Sequence, residues 1–330
     1  MRLLVTGATG TFGFALIEHI LSHPTYECDI VALSRNESIQ ARRREQTGNN
    51  PMVKWVLGDV RDKERMEDVL LFYGVTHIVH AAALKRVDNS DPRELYATNI
   101  AGTMNVIRAA KHNNVEKVLV LSTDKACAPV TAYGVSKLAA EFYAVDSNKF
   151  SGCAVSCSRW GNVLGSAGSV VYTWARQARA GEKLTITAPE ATRFWMTADD
   201  AVYWALQFLS VMRGGEIFVP YLKSAAISSV ASAITNYISG GDPKYKITGL
   251  RSGEKLHESL ISPDEGERIR GYMGTSYHVI DPPDQFPGYS PREGGSKWLL
   301  REGVRSNDLS ISMNLNRGEL IDMLKKSGVL

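Results

Sequence analysis

The chain has 330 residues, 44% hydrophobic and 22% charged, the balance of a soluble globular protein of about two domains or one large two-lobed one. Lysine and arginine total 38 against 35 acids, a net charge of +3 that is too small to argue for nucleic acid or an anionic membrane as the main partner. No stretch reaches the length of a membrane span, and Met1-Arg2 leads into an apolar strand-like run without a signal-peptide pattern. The four cysteines Cys28, Cys127, Cys153 and Cys157 form no CxxC pair and no disulfide framework, which fits a reduced, cytosolic setting. The seven histidines are scattered and mark no metal site.

Short β-rich runs alternate with helical patterns through the first half. Strands are predicted over 3–6, 30–33, 53–57, 77–80, 118–121 and 154–158. Helices are predicted over 13–22, 62–72, 92–113 and 133–149. Such alternation implies right-handed crossovers and a parallel sheet covered on both faces, with ligands at the carboxyl ends of the strands. The second half is less regular. Residues 197–212 read as a helix with Thr197 at its N-cap and acids Asp199 and Asp200 in the first turn, followed by a strand over 216–219. A Pro/Gly-rich stretch at 281–295 precedes a last amphipathic helix over 317–326. A boundary near 165 divides a dinucleotide-binding domain, whose sheet also recruits 197–219, from a lobe over 166–330. The expected fold class is α/β, a Rossmann-like doubly wound parallel sheet with a smaller C-terminal substrate-binding lobe.

The loop after the first strand reads Thr6-Gly7-Ala8-Thr9-Gly10-Thr11-Phe12-Gly13. The glycines are spaced GxxGxxG rather than GxGxxG, but the physics is the same. Backbone without side chains comes close to a pyrophosphate, and N–H groups at the helix start bind it. The second strand ends in Ser34 and Arg35, where a carboxylate would meet an adenosine ribose and a cation suits an extra 2′-phosphate. This favours NADP over NAD, with Arg43 or Arg44 as further cations and Glu37 keeping NAD open. Asp59 and Val60, after the third strand, are placed to meet the adenine. Ala81 and Ala82, after the fourth, are small enough to let a cofactor lie close.

Two acid–base pairs stand together after the fifth strand. Tyr133 and Lys137 are four apart and share a helix face, so the ammonium can lower the phenol pKa and make a base for a substrate hydroxyl. Asp124 and Lys125 lie just past Val118-Leu119-Val120-Leu121, and a plain alcohol dehydrogenase has no evident need for them.

These features resemble the extended short-chain dehydrogenase/reductase superfamily, in which Asn99 also fits. Four segments are more specific: Ser122-Thr123-Asp124-Lys125-Ala126, Arg159-Trp160-Gly161-Asn162-Val163-Leu164-Gly165-Ser166, Thr192-Arg193-Phe194-Trp195-Met196-Thr197 and Arg251-Ser252-Gly253-Glu254-Lys255-Leu256-His257-Glu258. Together they are similar to the inverting UDP-N-acetylglucosamine 4,6-dehydratases that open the pathway to pseudaminic acid. The resemblance runs in order over residues 1–261. It implies that Tyr133, helped by Lys137, deprotonates the 4-hydroxyl while NADP takes the C4 hydride. Lys125 would remove the C5 proton, for which it must be neutral part of the time through burial or cations such as Lys137 and Lys85. Protonated Asp124 would release the 6-hydroxyl as water, Thr123 would bond the 4-oxygen, and Lys125 would reprotonate C5 from the opposite face. The cofactor ends as it began and should stay tightly bound.

The resemblance also implies cofactor contact at Val163 and nucleotide-sugar contact at Lys85, Asn162, Ser169, Val170, Arg193, Arg251 and Glu254, arginine suiting a diphosphate. It implies a dimer or hexamer. The chain departs from the family pattern at Ala167, where arginine is usual, at Trp160 for tyrosine, at Ser252 for proline, and across 265–330. Retaining 4,6-dehydratases carry Asp-Glu at the 124–125 position and 4-epimerases small or hydroxyl residues. Either remains an alternative nucleotide-sugar activity on the same fold. The intact Asp124, Lys125, Tyr133 and Lys137 argue against a regulatory protein that has lost catalysis.

Overall fold

The computed structural model describes residues 1–23, 25–85, 91–150, 152–272, 274–283, 289, 295–297, 304–305 and 314–330. The chain opens with β1 (Arg2–Thr6), α1 (Thr11–Ser22), β2 (Asp29–Ser34), α2 (Glu37–Gln46), β3 (Val53–Leu57), α3 (Lys63–Tyr73) and β4 (His77–His80). Next come α4 (Pro92–Tyr96), a π-helical turn (Ala97–Ala101), α5 (Gly102–His112), β5 (Lys117–Thr123), α6 (Ala132–Ser147) and β6 (Ala154–Trp160). The second half holds β7 (Asn162–Val163), α7 (Val170–Arg179), β8 (Leu184–Ile186), β9 (Thr192–Met196), α8 (Ala198–Val211), β10 (Ile217–Pro220), β11 (Lys223–Ala226) and α9 (Ile227–Ser239). It closes with β12 (Tyr245–Ile247), β13 (Ser259–Ile261), β14 (Ile269–Tyr272), β15 (Tyr277–Ile280), β16 (Gly295–Lys297), β17 (Val304–Arg305) and α10 (Arg317–Lys326).

One large sheet runs β16-β14-β15-β10-β6-β5-β4-β1-β2-β3. The strands from β3 across to β10 are parallel, and β15, β14 and β16 extend the far edge antiparallel. This is the expected Rossmann-like doubly wound architecture. Its central strands are apolar along their whole length because helices cover both faces: Leu3, Leu4 and Val5 of β1 and Val118, Leu119 and Val120 of β5 are fully buried. β1 lies between β2 and β4, so the winding reverses there and opens a crevice at the carboxyl ends. The core around this sheet also draws on Val202, Ala205 and Phe208 of α8 and Phe218 of β10. A second core joins Val171, Trp174 and Ala175 of α7 to Val230 and Ile234 of α9 and Leu320 and Leu324 of α10.

The helix expected over 92–113 is broken by the π-helical turn. Asn99 sits in that turn with its amide committed to tertiary bonds: Nδ2 donates to Leu84 O at 2.9 Å and to Ser136 Oγ at 3.0 Å, and Oδ1 accepts from Leu84 N at 2.8 Å. Such bulges rotate a side chain out of helical register, and here the bonds to α6 and the loop after β4 outweigh the regular ladder. α2 is absent from the periodic reading because Gln40 is its only buried residue, so no apolar stripe marks it. Asn36 caps it, accepting from Ile39 N at 2.9 Å. α8 starts as the sequence indicates, with Thr197 and Asp200 forming a reciprocal capping box. Much of the Pro/Gly-rich 281–295 stretch lies outside the described residues. Among the described residues no helix is long and apolar enough to cross a membrane.

Candidate active site

The loops after β1, β2, β3, β4, β5 and β6 gather along the carboxyl edge of the sheet. At β1 the need for glycine is geometric. Gly7 has φ +70°, and a side-chain carbon there would meet Ala82 N at 2.9 Å. At Gly13 one would meet the Gly7 carbonyl oxygen at 2.5 Å. Gly10 N donates to Gly7 O at 2.9 Å, and Gly10 stands at the N-cap of α1 with no side-chain cap, a helix start of the kind that fits a pyrophosphate. Thr11 Oγ1 accepts from Ala167 N at 3.3 Å, and the Phe12 ring packs edge-on against Trp160 at 4.9 Å between centroids. Thr9 lies in the same loop, part-buried. Ala81 and Ala82 are held against β1, where Ala82 N donates to Thr6 Oγ1 at 3.2 Å. Beneath them His80 is fully enclosed, its Nδ1 2.8 Å from Thr6 Oγ1 and its Nε2 3.0 Å from Thr103 Oγ1. Burial, with the Lys137 charge adding to it, pulls the His80 pKa down to about 3, so the ring is neutral.

The two residues expected to read the adenosine ribose differ in availability. Arg35 is half exposed, whereas Ser34 is buried with its hydroxyl accepting from Gln40 Nε2 at 2.9 Å. Asp59 is engaged by Arg61, whose Nη2 donates to Oδ2 at 2.7 Å, with Arg35 Nη1 at 3.9 Å. Burial would raise the Asp59 carboxyl, but Arg61's bonds outweigh it and hold the pKa below its ordinary value. Val60 is buried against Gly102.

Thr123, Asp124 and Lys125 come together at the end of β5. Thr123 Oγ1 donates to Asp124 Oδ1 at 2.9 Å, and Lys125 Nζ donates to the same oxygen at 3.0 Å and to Asn162 Oδ1 at 3.2 Å. Thr131 caps α6 through Gly134 N at 3.1 Å. A side-chain carbon at Gly134 would lie 2.3 Å from Lys125 O, so glycine lets α6 press against this turn and bring Tyr133 beside it.

Two electrostatic expectations are corrected here. The Tyr133 phenol is not lowered: Lys137 is buried, with Nζ donating to Leu121 O at 2.6 Å, and burial lowers its own pKa. The cation that favours the Tyr133 phenolate is Lys125. Even so, burial, reinforced by the Asp124 charge, leaves the phenol pKa above its ordinary value. Nor is Lys125 driven neutral. Burial works in that direction, but the carboxylates of Asp124 and Glu258 outweigh it and raise its pKa. Asp124 contributes most, and Glu258, a motif residue with no role assigned from sequence, adds to it, its Oε1 lying 3.6 Å from Lys125 Nζ.

The remaining predicted residues divide. Asn162 meets Lys125 directly, and Val163 follows it in β7. Ser169 precedes α7, and Val170 at its start is exposed. Lys85 and Arg251 are exposed. Arg193 is 4% exposed, its guanidinium donating to Thr192 O at 2.7 Å, Leu256 O at 3.0 Å and Glu254 Oε1 at 2.9 Å. It ties the 251–258 segment to β9. That segment is further pinned by Gly253, at φ +77°, where a side-chain carbon would meet Thr131 Cγ2 at 2.7 Å, and by Lys255 Nζ donating to Cys127 O at 2.7 Å. A second ionic cluster, also unassigned by the sequence reading, centres on Arg159. It is 1% exposed and donates to Glu141 Oε2 at 2.7 Å, Glu265 Oε1 at 2.6 Å and Leu260 O at 3.0 Å.

A family model described as "Polysaccharide biosynthesis protein" matches residues 3–279. The chain is 37% identical over 334 residues to a Campylobacter jejuni protein named UDP-N-acetylglucosamine 4,6-dehydratase (inverting), covering 98% of this chain and 97% of that one. The likeness thus runs past residues 1–261 into the tail. It is 39% identical over 331 residues to a Rickettsia felis protein named UDP-glucose 4-epimerase, covering 98% and 94%. The X-ray structure of Pen from Bacillus thuringiensis superposes with a TM-score of 0.87 at 26% identity, covering 100% of this chain and 98% of that one. With a family match across most of its length on this Rossmann-like sheet, the chain belongs to the polysaccharide biosynthesis protein family within the extended short-chain dehydrogenase/reductase superfamily.

Proposed function

We propose that the protein dehydrates UDP-N-acetylglucosamine across C4–C6 with inversion at C5, as a hydro-lyase with a tightly bound NADP. The observation that carries this reading is the Asp124–Lys125 contact of 3.0 Å beside Tyr133. A 4-epimerase only takes a hydride from C4 and returns it to the same carbon, so it has no work for a buried acid–base pair. That distinction favours the dehydratase over the epimerase reading, although relatives of both names match at similar identity.

The Gly7–Gly13 loop, Arg35 and the Ala81-Ala82 segment would hold NADP, which would supply hydride acceptor and donor chemistry beside Tyr133. Tyr133 takes the 4-hydroxyl proton, a step the Lys125 ammonium assists by favouring the phenolate. The 4-ketone then makes the C5 hydrogen acidic. For elimination Lys125 gives its proton to Asp124, within hydrogen-bond reach. The pair so becomes the neutral amine and carboxylic acid that the step needs. The amine takes the C5 proton and the acid releases the 6-oxygen as water. Reprotonation of C5 from the opposite face completes the inversion. The lobe built on α7, α9 and α10, with Asn162 and Arg251 at its margin, holds the nucleotide sugar, while buried Arg193 shapes that margin through Glu254.

Incubation with UDP-N-acetylglucosamine in deuterated water, followed by NMR, tests this. Loss of the 6-hydroxymethyl signals, a new C6 methyl and deuterium at C5 are expected. A 4-epimer with no solvent deuterium sinks the proposal.

A further inference from the structure

The Lys125 amine is surrounded by three oxygens: Asp124 Oδ1 at 3.0 Å, Asn162 Oδ1 at 3.2 Å and Glu258 Oε1 at 3.6 Å. An ammonium has three N–H donors, so this cage suits the charged form. Two of the three oxygens belong to carboxylates, and both are buried, Asp124 fully and Glu258 at 3% exposure. Two buried carboxylates crowd this one ammonium, with the Lys255 ammonium 3.6 Å from Glu258 Oε2 as a second cation, so burial and their mutual repulsion raise the cost of keeping both ionised.

We propose that Glu258 is a positioning residue for the elimination step: it anchors the Lys125 amine opposite Asp124, and its charge decides whether the Asp124–Lys125 pair stays ionic or becomes neutral. This rests on the dehydratase reading above. Elimination breaks the C5–H bond, with the proton going to the lone pair of Lys125 Nζ. It also breaks the C6–O bond, with the oxygen taking a proton from Asp124 and leaving as water. The pair therefore starts as amine and carboxylic acid and ends as ammonium and carboxylate. An ionised Glu258 holds Lys125 as the ammonium, which has no lone pair for the C5 proton. A protonated Glu258 relaxes that hold, and the Lys125 proton can pass to Asp124. Asp124 Oδ2 is buried with no hydrogen-bond partner among the described residues, so a proton there displaces no existing bond.

Among the described residues, the charged groups facing this cluster come from several elements. Glu258 feels Asp124 and Lys125 from the turn after β5, Arg193 from β9 and Lys255 from its own segment, Lys255 Nζ standing 3.6 Å from Oε2. Lys125 additionally feels Tyr133 from α6. Burial, then the Asp124 charge, raise the Glu258 carboxyl above its ordinary range despite the three cations. It therefore holds its proton to higher pH than an exposed glutamate.

The experiment follows solvent deuterium entering C5, relative to single-turnover C4 oxidation read from reduced-cofactor absorbance, in wild type, Glu258→Gln and Glu258→Asp across about pH 5.5 to 9. In wild type the ratio should fall by about tenfold per pH unit above the Glu258 ionisation, as one proton controls it. Glu258→Gln, a permanent mimic of the protonated acid, should lose the basic limb of this ratio. Glu258→Asp should keep a limb at a displaced pH. Superimposable profiles for wild type and Glu258→Gln overturn the proposal. So does a proportional loss of both readouts in Glu258→Gln, or failure of both variants to fold, because either makes Glu258 merely structural. A wild-type protein that oxidises C4 but never exchanges C5 overturns the dehydratase reading itself, and this inference with it.

Discussion

Replacing Arg159 by leucine probes the clamp between the sheet and the later segments of the chain. The guanidinium reaches Glu141 on α6, Glu265 on the 3-10 turn after β13, and the Leu260 carbonyl on β13 itself. Leucine fills part of the volume but leaves the buried Glu141 and the part-buried Glu265 carboxylates without their cation. Removing one partner of a buried pair costs about 3–5 kcal/mol, because the charge left behind stays desolvated. At roughly 2 °C per kcal/mol for a chain of this size, Tm should fall by about 6–10 °C near neutral pH. The pH dependence is the sharper signature. In the wild type burial alone would raise the Glu265 carboxyl, but Arg159's hydrogen bonds and charge hold it below its ordinary value. A depressed carboxyl contributes stability above its unfolded pKa and loses it as pH falls through the folded pKa. Without Arg159 burial prevails and the sign reverses, so the variant gains stability relative to wild type as pH falls. Thermal unfolding of both proteins at pH 8 and pH 5 reads this directly, with the larger deficit expected at pH 8. A deficit equal at both pH values, or below about 2 °C throughout, would refute the assignment of the cluster as a charge-compensated clamp.

Gly13→Ala places a carbon 2.5 Å from the Gly7 carbonyl oxygen and must shift the loop, so NADP affinity should weaken by about 2 kcal/mol, roughly 30-fold, in a fluorescence titration. Unchanged affinity would remove the loop from cofactor binding. His80 is neutral in the fold, with its pKa near 3 against about 6.5 unfolded, so its contribution to stability is full above pH 6.5. It should drain by about 1.4 kcal/mol per pH unit as pH falls between those values, and a His80→Gln variant in urea titrations should lack that slope. Lys125→Ala should lower deuterium entry at C5 by about 100-fold or more while C4 oxidation, which loses only the phenolate's neighbouring cation, slows far less, followed by NMR and cofactor absorbance. Parallel loss of both would show that Lys125 serves the first step rather than elimination.

Much of the site is legible along the chain because its signals are local. The glycine loop, the strand ends and the Asp124-Lys125 and Tyr133 segment each need only a few consecutive residues to declare themselves. So does the capping box at Thr197, and the apolar run of β5 announces a strand buried on both faces. α2 is not legible, since a helix that buries one glutamine carries no apolar period. The π-helical turn at Asn99 is not either, since its cause is a set of bonds to Leu84 and Ser136. Sequence by itself determined which acids and bases stand at the edge of the sheet. Only the tertiary structure decided their charge. Lys137 turns to Leu121 O, Arg193 is consumed by the 251–258 segment, and Glu258, far along the chain, joins Asp124 in raising the Lys125 pKa. Protonation depends on burial and on charges a few ångströms away through space, and spacing along the chain does not record those neighbours.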